Sequence, residues 1–237
     1  MDWVTGIHRA IRYVEEHLRE ELTIQKIAQQ AAVSPFYFQK GFAILCGMTV
    51  GDYIRQRRLS AARSFAPLRI KVTLEGGQNM DCKITKKEAF TVLCRAKTFK
   101  YEDAAAQVPR FWAEHFAAGG GKVVCGMYGI NLDESMGGNE FEYLIADNYD
   151  PAREVPDGFT TRTIPAHTWA VFPCTGRMPQ ALQGLNQQIF SQWLPTNPDY
   201  KIAAGINVEL YSDASKFENG TQDQDYYCEI WIPVEKK

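Results

Sequence analysis

The chain has 237 residues, 45% of them hydrophobic and 23% charged, with a net charge of −2. That is enough to bury a core in one or two domains. No apolar run approaches the ~18 residues of a membrane span, and the start "MDWVTGIHRA" lacks the layout of a secretion signal, so the sequence reads as cytoplasmic with no membrane partner. Six scattered cysteines (Cys46, Cys82, Cys94, Cys125, Cys174, Cys228) form no C-x-x-C pair. The four histidines (His8, His17, His115, His167) lack metal-ligand spacing, so neither metal nor cofactor is expected and the thiols read as buried and reduced. Residues 1–66 carry nine Lys/Arg against six Asp/Glu, net +3, and residues 67–237 carry 17 against 22, net −5, which divides the chain into two parts with different partners.

The first part is helical. Val4, Ile7, Ile11, Val14 and Leu18 recur at spacings of three and four, the mark of one buried helical face. Thr23 can cap a second, short helix, and Ser34 with Pro35 opens a third that Gly47 can stop near Cys46. Thr49 starts a fourth helix rich in arginine: Arg55, Arg57, Arg58 and Arg63. Two short helices around the "QAAV" turn make a helix-turn-helix pattern, which sets its second helix in a DNA major groove. A plain helical packing module has the same spacing, so pattern alone leaves both readings open.

The stretch "ELTIQKIAQQAAVSPFYFQKGFAILCGMTVGDYIRQRRLSAA" resembles the first helix-turn-helix of AraC-type transcription regulators, over about 60 residues. The resemblance implies groove-facing positions at Phe36, Gln39 and Lys40, with Arg55, Arg57 and Arg58 in the following helix, where phosphate or structural contacts are the alternatives. AraC-type readers carry two such motifs in tandem; after "RRLSAA" this chain runs into a different pattern. Gly41, Ala43 and Ile44 also stand where family members often carry polar or basic side chains, and an outward Ile44 suits a protein contact. A single motif making three or four phosphate contacts gains little of the salt-dependent affinity that six to ten supply. A homodimer, placing two motifs ~34 Å apart, would restore it. Oligomerisation through the helices is the rival to DNA binding.

After Pro67 the period changes to two. Residues 67–79 read as a linker, with Pro67 and Gly76-Gly77 bracketing an extended segment. From 80 onward a β-strand pair (or one bent strand) at 80–99, a helix at 102–116, and strands at 122–133 and 140–149 make a βαββ unit. A strand at 159–175, a helix at 178–193, and strands at 201–211 and 226–235 repeat it. "GIN" recurs at 129–131 and 205–207, at the same point of both units, which predicts a duplicated module. The fold class expected is α+β: a small all-α helix-turn-helix domain (1–66) followed by a duplicated βαββ ligand-binding domain (80–237) with an antiparallel sheet and helices.

Two modules build a groove between them, the usual place for a small ligand. Alternation puts Ile202, Ala204, Ile206, Val208 and Leu210 on one face of strand 201–211, and Asn207, Glu209 and Tyr211 on the other. In strand 226–235 it leaves Tyr227, Glu229 and Trp231 opposite the core face. In a hairpin, Glu209 and Glu229 would then meet among aromatics. That predicts a solvated face, a site for bulky lipophilic cations, or an acid/base pair sharing one proton.

Residues 80–237 resemble GyrI-like effector-binding domains in "MDCKITKKEAFTVLCRAK", "GMYGIN", "FEYLIAD" and "CEIWIPV". The resemblance implies a glutamate in an aromatic pocket that meets hydrophobic cations. Glu209 and Glu229 are the candidates, with Tyr143, Trp112, Tyr211, Phe172 and Trp231 as walls. The implied function is a ligand-responsive transcriptional regulator or multidrug sensor. Two alternatives stand beside it: a drug-sequestering protein whose helices mediate oligomerisation, and a hydrolase of strained electrophilic natural products using Glu209 and Glu229.

Overall fold

The computed structural model describes residues 3–62, 80–133 and 140–237. The expected linker 67–79 lies outside the described residues, as does Arg63. The N-terminal part is four helices: α1 (Trp3–Glu16), α2 (Ile24–Ala31), α3 (Pro35–Cys46) and α4 (Val50–Ala62). Their ends follow the caps in the sequence. Thr23 Oγ1 accepts the Lys26 N–H, Ser34 Oγ accepts the Tyr37 N–H, and Gly47 closes α3 with φ at 68°. Thr49 Oγ1 accepts the Asp52 N–H at the start of α4. α1 buries Trp3, Ile7, Ala10 and Val14, and Arg57 ties α4 back to it through a two-bond pair with Glu15 at 2.7 and 2.6 Å. Among the described residues, no helix is long and apolar enough to cross a membrane and no group of three or more potential metal ligands occurs.

The remainder is β1 (Lys83–Lys87), β2 (Phe90–Lys100), α5 (Ala104–Ala117), β3 (Tyr128–Leu132), β4 (Glu140–Asn148), β5 (Thr160–Ile164), β6 (His167–Thr175), α6 (Gln180–Gln188), β7 (Tyr200–Ile202), β8 (Ile206–Tyr211) and β9 (Tyr227–Lys236). The strands form one antiparallel sheet in the order β1-β6-β9-β8-β3-β4-β2-β5, with β7 also on β9. Exchanging the two repeats reads that order backwards, so the duplication is a two-fold symmetry of the sheet. Its axis is located by the register: Asn131 pairs with Asn207, the asparagines of the two "GIN" triplets. About that axis Gly129 faces Glu209, and Gly205 O accepts the Asp133 N–H. Asp133 is thus the counterpart of Glu209.

The sheet curls. Phe90 on β2 and Trp231 on β9 are four strands apart, ~19 Å in a flat sheet, yet their ring centroids lie 6.3 Å apart. The concave face therefore packs on itself, with Trp169, Val171, Val208, Ile130 and Leu144 around Trp231. The other face carries α5 against Phe99, Phe141 and Ile145, and α6 with its π-helical continuation Ile189–Trp193 against Phe172, Ile230 and Ile232.

Two expected strands are broken, and each break has a physical reason. Segment 159–175 divides at Pro165-Ala166, and its halves take different neighbours, β5 pairing with β2 and β6 with β1 and β9. Segment 201–211 divides at Ala203–Gly205. Ile202 pairs with Val234, but Val208, six residues on, pairs with Trp231, only three back. Three residues are looped out, and an odd number reverses the alternation of side chains. Ile202 accordingly packs under the helices while Ile206 and Val208 face the concave side.

Candidate functional site: the groove between the repeats

That register shift decides the fate of the two glutamates. Glu209 pairs with Ile230, while Glu229 pairs with Leu210. Directly paired residues share a face, so the expected meeting of Glu209 and Glu229 does not occur; they lie on opposite faces of the sheet. Glu229 accepts bonds from Tyr227 Oη (2.6 Å) and Trp231 Nε1 (2.5 Å) on the concave side. An acid/base pair made of these two carboxylates is not assembled.

Glu209 lies on the helix-bearing face, half-buried in a cavity of about 670 Å³ lined by Trp112, Phe116, Met127, Tyr143, Tyr211 and Tyr226. Tyr211 Oη donates to Glu209 (2.7 Å), and Trp112 Nε1 donates to Tyr143 Oη (3.1 Å). Trp112 stands edge-on to Tyr211 with centroids 5.9 Å apart. Burial, then the negative charge of Glu209, pushes the hydroxyls of Tyr143 and Tyr211 upward in pKa, so both stay neutral donors. Glycine makes this arrangement fit: a Cβ at Gly129, opposite Glu209, would overlap the Tyr143 hydroxyl and press on Trp112. The rim is held by Asp147, whose carboxylate accepts the backbone N–H groups of Cys125, Gly126 and Met127 at 2.6, 3.0 and 2.7 Å.

Of the seven expected ligand residues, Glu209, Trp112, Tyr143 and Tyr211 line one cavity. Phe172 is instead fully buried against Trp193, and Trp231 and Glu229 face away. The sequence reading missed Tyr226, Met127 and Phe116; Tyr226 comes in from a loop, held by its bond to the Ser212 carbonyl (2.7 Å).

The symmetry-related half of the groove is occupied by α3. Tyr37 Oη donates to the Ile206 carbonyl (2.5 Å), next to the Asn207 side chain, which itself donates to Trp231 O. Phe36 packs on Phe141 (6.2 Å), whose ring lies 4.9 Å from that of Tyr101, and Tyr101 donates to Asp133. A Cβ on Gly205 would sit 3.2 Å from Ser34 Cβ. Gly41, the unexpected glycine of α3, allows closest approach: any Cβ there would run into the rings of Trp3 and Phe190.

The residues that the resemblance assigns to DNA are therefore placed as follows. Phe36 and Lys40 face the second domain, with Lys40 Nζ 5.3 Å from the Phe36 ring and 5.9 Å from the Phe190 ring. Gln39 is half-buried on α3, and Ile44 packs against the core. Arg57 is buried in its pair with Glu15, and Arg58 bonds the carbonyls of Leu18 and Glu20, both at 2.8 Å. Arg55 stays exposed beside Asp52.

Comparison with known proteins matches the helical stretch and the sheet-bearing stretch to different families. The family described as "Cass2: Integron-associated effector binding protein" matches residues 83–234. The N-terminal helices are similar to AraC-type regulators: the regulatory protein SoxS of Escherichia coli K12 is 39% identical over 56 residues, covering 24% of this chain and 52% of SoxS. An uncharacterized HTH-type transcriptional regulator, YbfP of Bacillus subtilis, is 34% identical over 62 residues, 26% of this chain and 21% of that protein. The chain thus spans about half the length of SoxS or less of such relatives. Among solved structures, SAV2435 bound to tetraphenylphosphonium has a TM-score of 0.57 at 20% identity, covering 66% of this chain and 94% of that one. A putative transcription regulation protein of Staphylococcus aureus MU50 has a TM-score of 0.53 at 19% identity, covering 66% and 99%. At those identities the likeness is one of fold.

Proposed function

The chain belongs to the Cass2 family of integron-associated effector-binding proteins, and on that premise we propose that it is a cytoplasmic, ligand-responsive transcriptional regulator whose effector is a small lipophilic cation bound beside Glu209. One observation carries the ligand class: a half-buried carboxylate, bonded by one tyrosine, in a cavity lined by five aromatic side chains and by apolar residues such as Met127 and Met178, with exposed Asp213 also on its lining. A carboxylate supplies the charge, and each ring face adds about 0.5–2 kcal/mol for a cation. The tetraphenylphosphonium bound by SAV2435 is a molecule of that class. The N-terminal helices, AraC-like in sequence, are the DNA-contacting part, with exposed Arg55 among its basic groups.

Calorimetric titration of tetraphenylphosphonium into wild type, Glu209→Gln and Glu229→Gln tests the site. Binding is expected to weaken about a hundredfold in Glu209→Gln, the scale of removing a charge partner from a partly desolvated site, and to be unchanged in Glu229→Gln. Equal affinity in wild type and Glu209→Gln would refute the assignment. Duplex binding measured by fluorescence anisotropy at low and at physiological salt, with and without the cation, tests the DNA-contacting role; no binding at low salt in either state would leave the helices an assembly role only.

A further inference from the structure

The groove between the repeats already holds a lysine. Tyr37 of α3 lies over Asn207, and Glu209 is two residues farther along the same face of β8, ~6.8 Å on. Lys40 is three residues beyond Tyr37, a rise of ~4.5 Å along the helix. α3 runs the same way as β8, with Ser34 against Gly205 and Tyr37 on the Ile206 carbonyl, so the two displacements bring Lys40 Nζ toward Glu209, between the rings of Phe36 and Phe190; burial lowers the lysine's pKa there and the Glu209 charge opposes that. Lys40 thus meets the chemistry that suits an effector cation: a carboxylate on the same side of the groove, beyond ion-pair distance, and two aromatic rings beside it. It belongs, moreover, to the helix that fills the symmetry-related half of the groove, so anything that repels Lys40 acts on the docking of α3.

We infer that Lys40 is the resident cation of the groove and sets what the open half accepts: a cationic effector bound beside Glu209 works against Lys40 and loosens α3 from the closed half, whereas a neutral molecule of the same shape does not. The inference rests on the cation site proposed above. Its chemistry is simple charge competition, with one carboxylate serving two cations. Phe36 and Lys40, the side chains that the AraC resemblance assigns to the major groove, leave the second domain only when α3 undocks. Effector charge is thereby coupled to exposure of the reading face.

The test uses the full chain and two probes of similar shape, tetraphenylphosphonium and the neutral triphenylphosphine oxide. Lys40→Met is expected to bind the cation about tenfold tighter than wild type, the scale of one partly screened charge–charge contact, and the neutral probe with unchanged affinity; Lys40→Arg is expected to bind both as wild type does. In hydrogen exchange, saturating cation is expected to speed the amides of 36–44 severalfold in wild type but not in Lys40→Met. Lys40→Gln replaces Lys40→Met if the latter does not fold. If the cation binds wild type and depends on Glu209, yet Lys40→Met binds it no tighter, or shifts both probes equally, Lys40 is only structural; the inference is then overturned and the effector site stands. If the cation binds neither protein, both readings are overturned together.

Discussion

The two "GIN" glycines occupy equivalent places about the symmetry axis but face different neighbours, so the same substitution is expected to act differently at each. A Cβ on Gly205 would lie 2.6 Å from the backbone oxygen of Asp133 and 3.2 Å from Ser34 Cβ. That oxygen is backbone, not the end of a side chain, and the same residue's N–H is bonded to Gly205 O at 2.9 Å. Relief requires several tenths of an ångström of backbone movement in the central ladder, which places Gly205→Ala at the overpacking cost of about 1–3 kcal/mol. For a protein of this size the melting temperature would fall by about 2–4 °C per kcal/mol. At Gly129 the obstacle is the far end of a side chain, the Tyr143 hydroxyl, which can swing away at the loss of its bond from Trp112, about 0.5–1.5 kcal/mol. The displaced ring, however, enters the effector cavity. Thermal unfolding and cation titration on both variants separate the effects: Gly205→Ala is expected to melt lower with the cavity intact, and Gly129→Ala to melt nearer wild type with about tenfold weaker binding. A larger melting loss in Gly129→Ala, with its affinity unchanged, would refute both the register and the cavity assignment.

Other expectations follow from single contacts. Asp147→Ala removes the acceptor of three rim N–H groups and should lower stability by about 1–3 kcal/mol and weaken effector binding, read by urea unfolding and by titration. Arg57→Met leaves half-buried Glu15 without its partner and should destabilise the helical part by about 1–2 kcal/mol, its exposed side reducing the cost of a fully buried pair. The same pair has a pH signature. Arg57 first, against the opposing effect of burial, holds the Glu15 carboxyl below its ordinary 4.5, so its contribution is full above pH 4.5 and is lost as pH falls through the lowered value. Acid unfolding of wild type should carry that loss and Arg57→Met should lack it. Tyr37→Phe removes the hydroxyl bonded to Ile206 O and should weaken α3 docking by about 1 kcal/mol, seen as faster amide exchange in α3.

Helix limits were legible because capping is local: Thr23, Ser34-Pro35, Gly47 and Thr49 each act within a few residues of themselves. Duplication was legible because "GIN" recurs, and the pairing of its asparagines gives that recurrence a geometric meaning. The face of Glu229 was not legible. Simple alternation carries a strand's parity through Ala203–Gly205, whereas the chain loses it there by looping out three residues, an event visible only once β9 supplies the partner for both β7 and β8. Phe172 and Trp231 were misplaced for related reasons, since an aromatic on a strand belongs to a cavity or a core according to what covers its face. The roles of Arg57 and Arg58 also depend on distant groups, Glu15 and the carbonyls of Leu18 and Glu20 in the turn after α1. A basic helix at the end of a helix-turn-helix reads as a phosphate surface until those acceptors are known.

Symmetry explains why one chain can hold both an effector site and a docked helix in one groove. Each repeat contributes an acid at the same register position, Glu209 and Asp133, each opposite a glycine that leaves space above the sheet. Over Glu209 that space is bordered by Trp112 and Tyr143; over Asp133 it is taken by Ser34 and Phe36, with Tyr101 between. The halves are joined at the axis by β8 itself, which carries Asn207 at the axis beside the Ile206 carbonyl held by Tyr37, and Glu209 two residues on. A ligand shifts the docking of α3 only by the difference in its affinity for the docked and undocked states, and a coupling of about 1–3 kcal/mol corresponds to about 5–150-fold. If the charge competition proposed for Lys40 supplies that difference, reciprocity requires that whatever draws α3 out of the groove tighten the cation site by the same factor.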